Sequence, residues 1–276
     1  MQRVVSMEEL REFSDSIDQR VIDYITEGQI ETFESFAQYD LVAFDWYDLQ
    51  SVHTPPAQII IYIDHDNLFY VCENEFAYRV AKDLFATDAS NEHALYLFFR
   101  NLFKGSAKHL EALEGRVSAL DDDVGDGTEA GLRERIIAMR NEVLRVKTYY
   151  EQLALLFEEL CENDNDLFSA DCLKYFAILR NRSVRFASQA LNLKDSIMQV
   201  KESYQAQIGI EQSNLMKVFT LVTSIFMPLT LIAGWYGMNL KMPEFGWKYG
   251  YAFVAVLSLA VCALWLVIFK KKKWFK

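Results

Sequence analysis

Apolar positions along this chain change period twice, and each period predicts a different kind of structure. Up to about residue 90 they fall in short runs. Leu41-Val-Ala-Phe-Asp-Trp-Tyr47 is β-like. Gln58–Ile63 and Leu68–Cys72 flank the polar stretch Asp64-His-Asp-Asn67, which predicts a hairpin behind the chain break at Pro55-Pro56. Short helices are predicted at Met7–Ser16 and Phe76–Phe85. From Asn91 the spacing becomes helical. Asn91–Leu120 predicts a long helix weakened by Gly105 and Gly115, and Asp121-Asp-Asp-Val-Gly-Asp-Gly127 predicts an acidic turn. Ile136, Met139, Val143, Val146, Tyr150, Leu153, Phe157 and Leu160 then alternate three and four apart, the signature of a helical hairpin or coiled coil. Glu162-Asn-Asp-Asn-Asp166 is the next turn. After it no glycine occurs before Gly209 and no proline before Pro228, so one helix is predicted from Ser169 to Trp235, roughly 100 Å long. Ala177, Val184, Leu191 and Met198 recur every seven residues along it and mark a stripe that faces partners.

The third pattern is a pair of long apolar runs, Met216–Trp235 and Tyr251–Phe269, of 20 and 19 residues, whose one charged side chain is Lys217. Each is long enough to cross the roughly 30 Å hydrocarbon core of a bilayer as a helix. Lys270–Lys273 and Lys276 follow the second run directly, whereas the loop between the runs has only Lys241, Glu244 and Lys248. The positive-inside rule then puts the C-terminus and the large N-terminal part in the cytoplasm, and the loop outside. Trp235, Trp247, Tyr249 and Tyr251 suit the outer interface, and Trp274 the inner one. The first residues, Met1-Gln-Arg-Val-Val-Ser-Met, show no apolar core of a signal peptide.

Charge sharpens this division. The whole chain carries −11, the last 61 residues carry eight lysines against one glutamate, and residues 1–215 therefore carry −18. So acidic a soluble part disfavours nucleic-acid binding and attracts cations. The cysteines Cys72, Cys161, Cys172 and Cys262 form no Cys-x-x-Cys pair, which argues against a zinc knuckle or a disulfide framework and fits a reducing compartment. His53, His65, His93 and His109 are isolated. No nucleophile–base or metal-ligand spacing appears, so an enzyme is not expected.

Two spans cannot enclose a pore within one chain, so conduction requires an oligomer. The first span alone carries a polar and small stripe, with Ser213, Met216, Thr220, Thr223, Met227, Thr230 and Gly234 three or four apart. Such a stripe suits either a pore lining or close helix packing. The second span, uniformly apolar apart from Ser258, suits lipid. Pro228 lacks an N–H and loosens or bends the first span locally.

The segment Phe226-Met-Pro-Leu-Thr-Leu-Ile-Ala-Gly-Trp-Tyr-Gly-Met-Asn239, followed by Met242-Pro-Glu-Phe-Gly-Trp-Lys-Tyr-Gly250 and the lysine-rich end, resembles the CorA family of divalent-cation transporters. The strong resemblance covers about the last 60 residues, and the order of parts agrees over the whole chain. It implies a funnel-shaped homopentamer and a stalk helix that runs into the pore-lining span. It also implies that Gly237, Met238 and Asn239 form the selectivity site at the outer mouth for hydrated Mg²⁺, with Co²⁺ and Ni²⁺ as surrogates. Intracellular Mg²⁺ bound between neighbouring cytoplasmic domains closes channels of that family.

The chemistry of the motif is consistent with this. Mg²⁺ keeps its waters, and a ring of Asn239 amide oxygens accepts hydrogen bonds from them without stripping the ion. Gly237 is expected to take a turn closed to other residues. Met238 is expected to brace that turn, since a thioether is a poor ligand for a hard cation. One departure stands out: the upper stalk reads Tyr175-Phe-Ala-Ile-Leu-Arg-Asn-Arg-Ser-Val-Arg185, basic where acids are usual. Asp83 and Asp88, or the acid-rich turns, are candidates for a regulatory metal.

The sequence thus predicts an α+β cytoplasmic domain followed by long coiled helices and two membrane helices, mostly α overall. The expected parts are an α/β module at 1–90, a helical hairpin at 91–166 and a stalk at 167–215. A pore-lining span at 216–235, an outer loop at 236–250, a second span at 251–269 and a basic tail at 270–276 follow. The expected function is passive, potential-driven passage of Mg²⁺, which is both substrate and regulator, through a plasma-membrane channel of several identical subunits, with no organic cofactor. Two alternatives are a zinc transporter of the ZntB branch and a membrane-anchored sensor or scaffold that conducts nothing. Gly-Met-Asn followed by Met-Pro-Glu favours magnesium over the first of these, although Lys241 and Lys248 are not what a cation mouth would want, and the long helices and acidic surface suit the second.

Overall fold

Period-two runs in the first 72 residues build one five-stranded sheet, ordered β1-β5-β4-β3-β2. The structure is a computed structural model that describes residues 1–14, 16–28, 30, 32–49, 51, 54–126, 131–238 and 246–271. The strands are β1 (Gln2–Ser6), β2 (Phe33–Ser35), β3 (Tyr39–Trp46), β4 (Ala57–Asp64) and β5 (Leu68–Cys72). β4 and β5 form the expected antiparallel hairpin, with Ile61 opposite Tyr70. β1 pairs parallel to β5, and β2 and β3 extend the antiparallel side.

Both faces of the sheet are covered, which is why its strands are apolar at successive positions. Leu41, Ala43, Ile60, Tyr62, Phe69 and Val71 point to one face, where they meet Val21, Ile22 and Ile25 of α1 (Gln19–Thr26). Phe44 and Tyr70 point to the other face and pack against Phe98 and Phe99 of α3 (Asn91–Leu102), with ring centroids 4.3–6.3 Å apart. α2 (Glu75–Leu84) starts on an Asn74 cap whose side chain accepts from Ala77 N, and it packs on β1, β4 and β5.

The helical part departs from expectation in two places. The long helix over Asn91–Leu120 is two helices, α3 and α4 (Ser106–Asp126), because Gly105 takes φ +80°, a left-handed value that ends a right-handed helix. Gly115 passes inside α4 without a break. The acidic turn expected from Asp121 is helical up to Asp126: Val117, Leu120 and Val124 keep the apolar period and stay buried, and Asp123 pairs with Arg135 at 2.7 Å. Gly127 lies outside the described residues.

α5 (Leu132–Glu162) buries all eight of the apolar positions from Ile136 to Leu160. Full burial of each such side chain contributes about 1.5–3 kcal/mol. Arg116 of α4 binds Glu142 of α5 with both nitrogens, at 2.7 and 2.8 Å. α6 runs from Ala170 to Tyr236. Its inner face (Phe176, Leu179, Ser183, Phe186, Ala190, Leu193, Ile197 and Val200) is buried, whereas Val184 and Leu191 of the heptad stripe are exposed. α7 (Gly250–Lys271) follows. The chain divides into two compact units, Met1–Glu202 and Ser203–Lys276.

The turn between α5 and α6 is pinned to the sheet. Asn163 and Asp166 both take left-handed backbone, and the Asn163 amide bonds Phe168 through both its oxygen and its nitrogen. Asn165 Nδ2 donates to Phe36 O and to Asp40 Oδ1, each at 2.7 Å. Asp40 is buried, and burial pushes its carboxyl above the usual range although Ser35 and Asn165 pull it back.

Removing the Asn165 amide takes one of two side-chain donors, the other being Ser35, from the buried Asp40 carboxylate. Asn165→Ala is therefore expected to lower stability by about 1–3 kcal/mol in a denaturant titration. The raised Asp40 carboxyl means that the folded state binds its proton more tightly than the unfolded state does. Its contribution to stability is present in acid and is lost as pH rises from about 4 through the folded value. Asp40→Asn should flatten that decline in a series of thermal melts across pH.

Candidate functional site

The polar stripe lies on one face of α6, and Ser213, Met216, Thr220, Thr223, Met227, Thr230 and Gly234 are all exposed in a single copy. The threonines there share one local geometry. Thr220 Oγ1 donates to Met216 O at 2.8 Å, Thr223 Oγ1 to Phe219 O at 2.7 Å and Thr230 Oγ1 to Phe226 O at 2.8 Å. A hydroxyl has one proton and two lone pairs. With the proton spent on the helix backbone, each threonine offers its surroundings only acceptor electrons. Waters around a cation point their protons outward, and acceptors of this kind are able to receive them.

A shallow hollow of about 830 Å³ opens along the upper part of the same face, lined by Thr223, Met227, Thr230, Gly234, Trp235 and Met238 among others. Val222, Phe226 and Leu231 also line it and were not singled out in the sequence. They are apolar residues on an apolar helix, and nothing in their type separates them from lipid-facing neighbours. A Cβ added at Gly234 would meet nothing within 4 Å. Lys217, at the start of the run, donates to Asn214 Oδ1 at 3.2 Å.

Gly237 ends the helix. Its N–H donates to Ala233 O at 2.9 Å, and Met238 N donates to Trp235 O at 3.4 Å. The reason for glycine here differs from the expected one. Its φ is not left-handed, but an added Cβ would lie 2.9 Å from the Ala233 carbonyl oxygen, closer than carbon and oxygen tolerate. Met238 is 46% exposed and lines the hollow at its upper end. Asn239, the third residue of the motif, lies outside the described residues, as do Lys241 and Lys272–Lys276. The second apolar helix, α7, has its Ser258 hydroxyl spent on Val254 O at 2.9 Å. α6 and α7 are the two described helices long and apolar enough to cross a membrane.

The acids proposed for regulation sit in the other unit. Asp83 is exposed near the end of α2. Asp88 precedes α3, accepts from His93 Nδ1 at 3.0 Å and from Ser90 N at 3.4 Å, and is held below the usual carboxylate range, chiefly by His93. Asp88 is thus already occupied in shaping the start of α3. A cleft of about 820 Å³ beside it gathers Asp64, Asp66, Glu92 and Asp166. Asp64 and Glu92 are engaged there: Asp64 accepts from Tyr62 Oη and the 66–67 backbone, and Glu92 accepts from Ser169 N and Oγ. Among the described residues, no group of three or more His, Cys, Asp or Glu side chains is placed to hold a metal ion.

An α/β unit joined by one helix to an apolar pair with a polar stripe defines a class of membrane protein. The chain belongs to the family described as CorA-like Mg²⁺ transporter protein, whose profile matches residues 4–271. It is 28% identical over 166 residues to the cobalt/magnesium transport protein CorA of Thermotoga maritima, covering 60% of this chain and 47% of that one. It is 39% identical over 98 residues to the magnesium transport protein CorA of Helicobacter pylori, covering 35% and 30%. The chain thus spans less than half the length of these curated relatives. The fold agrees with the CorA magnesium transporter from Methanocaldococcus jannaschii, at a TM-score of 0.79 and 18% identity, covering 99% of this chain and 90% of that one. It also agrees with the ZntB cytoplasmic domain from Vibrio parahaemolyticus, at 0.60 and 10%, covering 74% and 86%. At these identities the two likenesses speak for the fold alone.

The two glycines give a paired test of the helix end. Gly237→Ala must shift the backbone away from Ala233 O, and overpacking of this kind costs about 1–3 kcal/mol. Gly234→Ala meets open space. Thermal melts of the detergent-solubilised chain should show a lower midpoint for the first variant and little change for the second.

Proposed function

We propose that the chain is one subunit of a homopentameric channel that lets divalent cations enter passively, driven by the membrane potential. Mg²⁺ is the main substrate in this reading, with Co²⁺ and Ni²⁺ as further ones, and Mg²⁺ also regulates. The channel lies in the plasma membrane with both termini in the cytoplasm. The first span lines the passage, and Gly237, Met238 and Asn239 form its outer mouth. The carrying observation is the threonine stripe: in a member of this family, α6 presents three exposed hydroxyls along one face whose protons are already taken, whereas α7 has the single part-buried Ser258.

The physical sequence follows from that stripe. A hydrated ion meets amide oxygens at Asn239, then Thr230 and Thr223, with the thioethers of Met227 and Met216 between and below. Acceptors hold the water shell without replacing it, so the ion is bound weakly enough to leave. Methionine rings pass the ion when wet and stop it when dry. An interior-negative potential favours entry of a doubly charged ion by roughly 4.6 kcal/mol per 100 mV, so no nucleotide site is needed. The exposed heptad residues Val184 and Leu191 support assembly of several copies.

Flux of Mg²⁺, Co²⁺, Ni²⁺ and Zn²⁺ into proteoliposomes tests this reading. Mg²⁺ uptake that grows with interior-negative potential is expected. Preference for Zn²⁺ would transfer the protein to the zinc branch, and vesicles tight to all four ions would leave only a non-conducting sensor or scaffold. Asn239→Ala should abolish Mg²⁺ flux while the assembled size is kept. Thr230→Val keeps the branched shape and removes one acceptor per subunit. It should slow flux about tenfold, the equivalent of one hydrogen bond of about 1.4 kcal/mol.

A further inference from the structure

The turn between α5 and α6 sets Cys161 of one helix against the first turn of the next, which carries Cys172. Cys161 stands in the last turn of α5 and Cys172 in the first turn of α6, eleven positions apart in sequence. Cys161 Sγ lies 4.0 Å from the carbonyl oxygen of Leu173, the residue next to Cys172. Cys172 Sγ lies 3.5 Å from Glu92 O on α3. Each side of the turn is fixed: the Asn163 amide brackets Phe168, and Glu92 holds Ser169 N and Oγ at 2.7 and 2.9 Å. Both cysteines are free, as are Cys72 inside β5 and Cys262 inside α7.

We propose that Cys161 and Cys172 are a redox pair, in which a low-molecular-weight disulfide oxidises the two thiols to one disulfide that ties the end of α5 to the first turn of α6. The order of events follows from access. Cys161 is half-buried and Cys172 is buried. The Cys161 thiolate attacks one sulfur of the small disulfide, forming a mixed disulfide and expelling one thiolate. The Cys172 thiolate then attacks the Cys161 sulfur, forming the internal bond and expelling the second thiolate. Two protons leave the protein, two electrons reduce the small disulfide, and two small thiols are released. On the transport reading this staple grips the root of the helix that carries the polar stripe. The thiol chemistry itself does not depend on that reading.

The surroundings make the pair slow at neutral pH. Burial raises the Cys161 thiol, with Arg180 pulling it down and Glu158 pushing it up. Burial pushes Cys172 up to about 12, and Glu92 and Cys161 add to this. Since the thiolate is the nucleophile, oxidation should quicken about tenfold per pH unit while pH stays below the thiol values.

The test uses the full chain in detergent, incubated with oxidised glutathione, denatured, alkylated, digested and weighed. The expected product is a Cys161–Cys172 cross-linked peptide lacking two hydrogens, with Cys72 and Cys262 alkylated. In Cys172→Ser a glutathione adduct should persist on Cys161, and in Cys161→Ser the buried Cys172 should stay reduced. The pairing is overturned if both thiols of the parent chain alkylate after treatment that closes a short peptide containing the same two cysteines. It is equally overturned if the parent chain stops at a lasting mixed disulfide or bonds between copies. The parent chain decides these outcomes even if a variant fails to fold.

Discussion

A hydroxyl inside an apolar helix must place its proton somewhere, because lipid offers no acceptor. The backbone carbonyl four residues earlier is the nearest one, and Thr220, Thr223 and Thr230 all use it. That economy of hydrogen bonding is what makes a threonine tolerable in such a helix. It also settles the sign of the side chain's remaining chemistry. A group that has given its only proton can answer a water that surrounds a cation and has nothing to offer an anion. On the proposed reading, lipid compatibility and a preference for cations would arise from the same bond.

In the soluble unit the corresponding constraint is the α5–α6 turn. Left-handed residues at Asn163 and Asp166 are costly, and they persist because the turn is held at several points. Asn165 ties it to Asp40 of the sheet, and Glu92 of α3 closes the first turn of α6. The sheet, α3 and the helix pair thus meet at one polar joint. Asp64, Glu92 and Asn165 are all engaged in hydrogen bonds there, and among the described residues no group of acids is placed to hold a metal ion.

The long periodic features could be read from sequence because they repeat a local rule many times. The eight apolar positions of α5 are buried, and the stretch with no glycine before Gly209 and no proline before Pro228 belongs to one helix from Ala170 to Tyr236. The hairpin of β4 and β5 was legible for the same reason, since Asp64-His-Asp-Asn67 separates two β-rich runs. What was not legible depends on single dihedral angles or distant partners. Gly105 and Gly115 look alike in sequence, yet only Gly105 takes the left-handed angle that splits the helix. β1 is a parallel partner of β5, some 66 residues away, and nothing local announces it. At the site, the stripe was visible as spacing. The spent hydroxyl protons and the crowding at Gly237 belong to atoms, which spacing does not describe. The nearness of Cys161 and Cys172 likewise appears only once the turn has folded.

The end of α6 has one more property. Aligned peptide dipoles leave about half a negative elementary charge on the C-terminal end of any α-helix, whatever its length. Here that end falls at Tyr236, immediately before Gly237 and Met238. Every subunit added to a ring would bring another such partial charge to the entrance, with no acidic side chain required. Carbonyl ends of this kind draw in metal ions but bind them loosely, so attraction at the mouth need not become a trap.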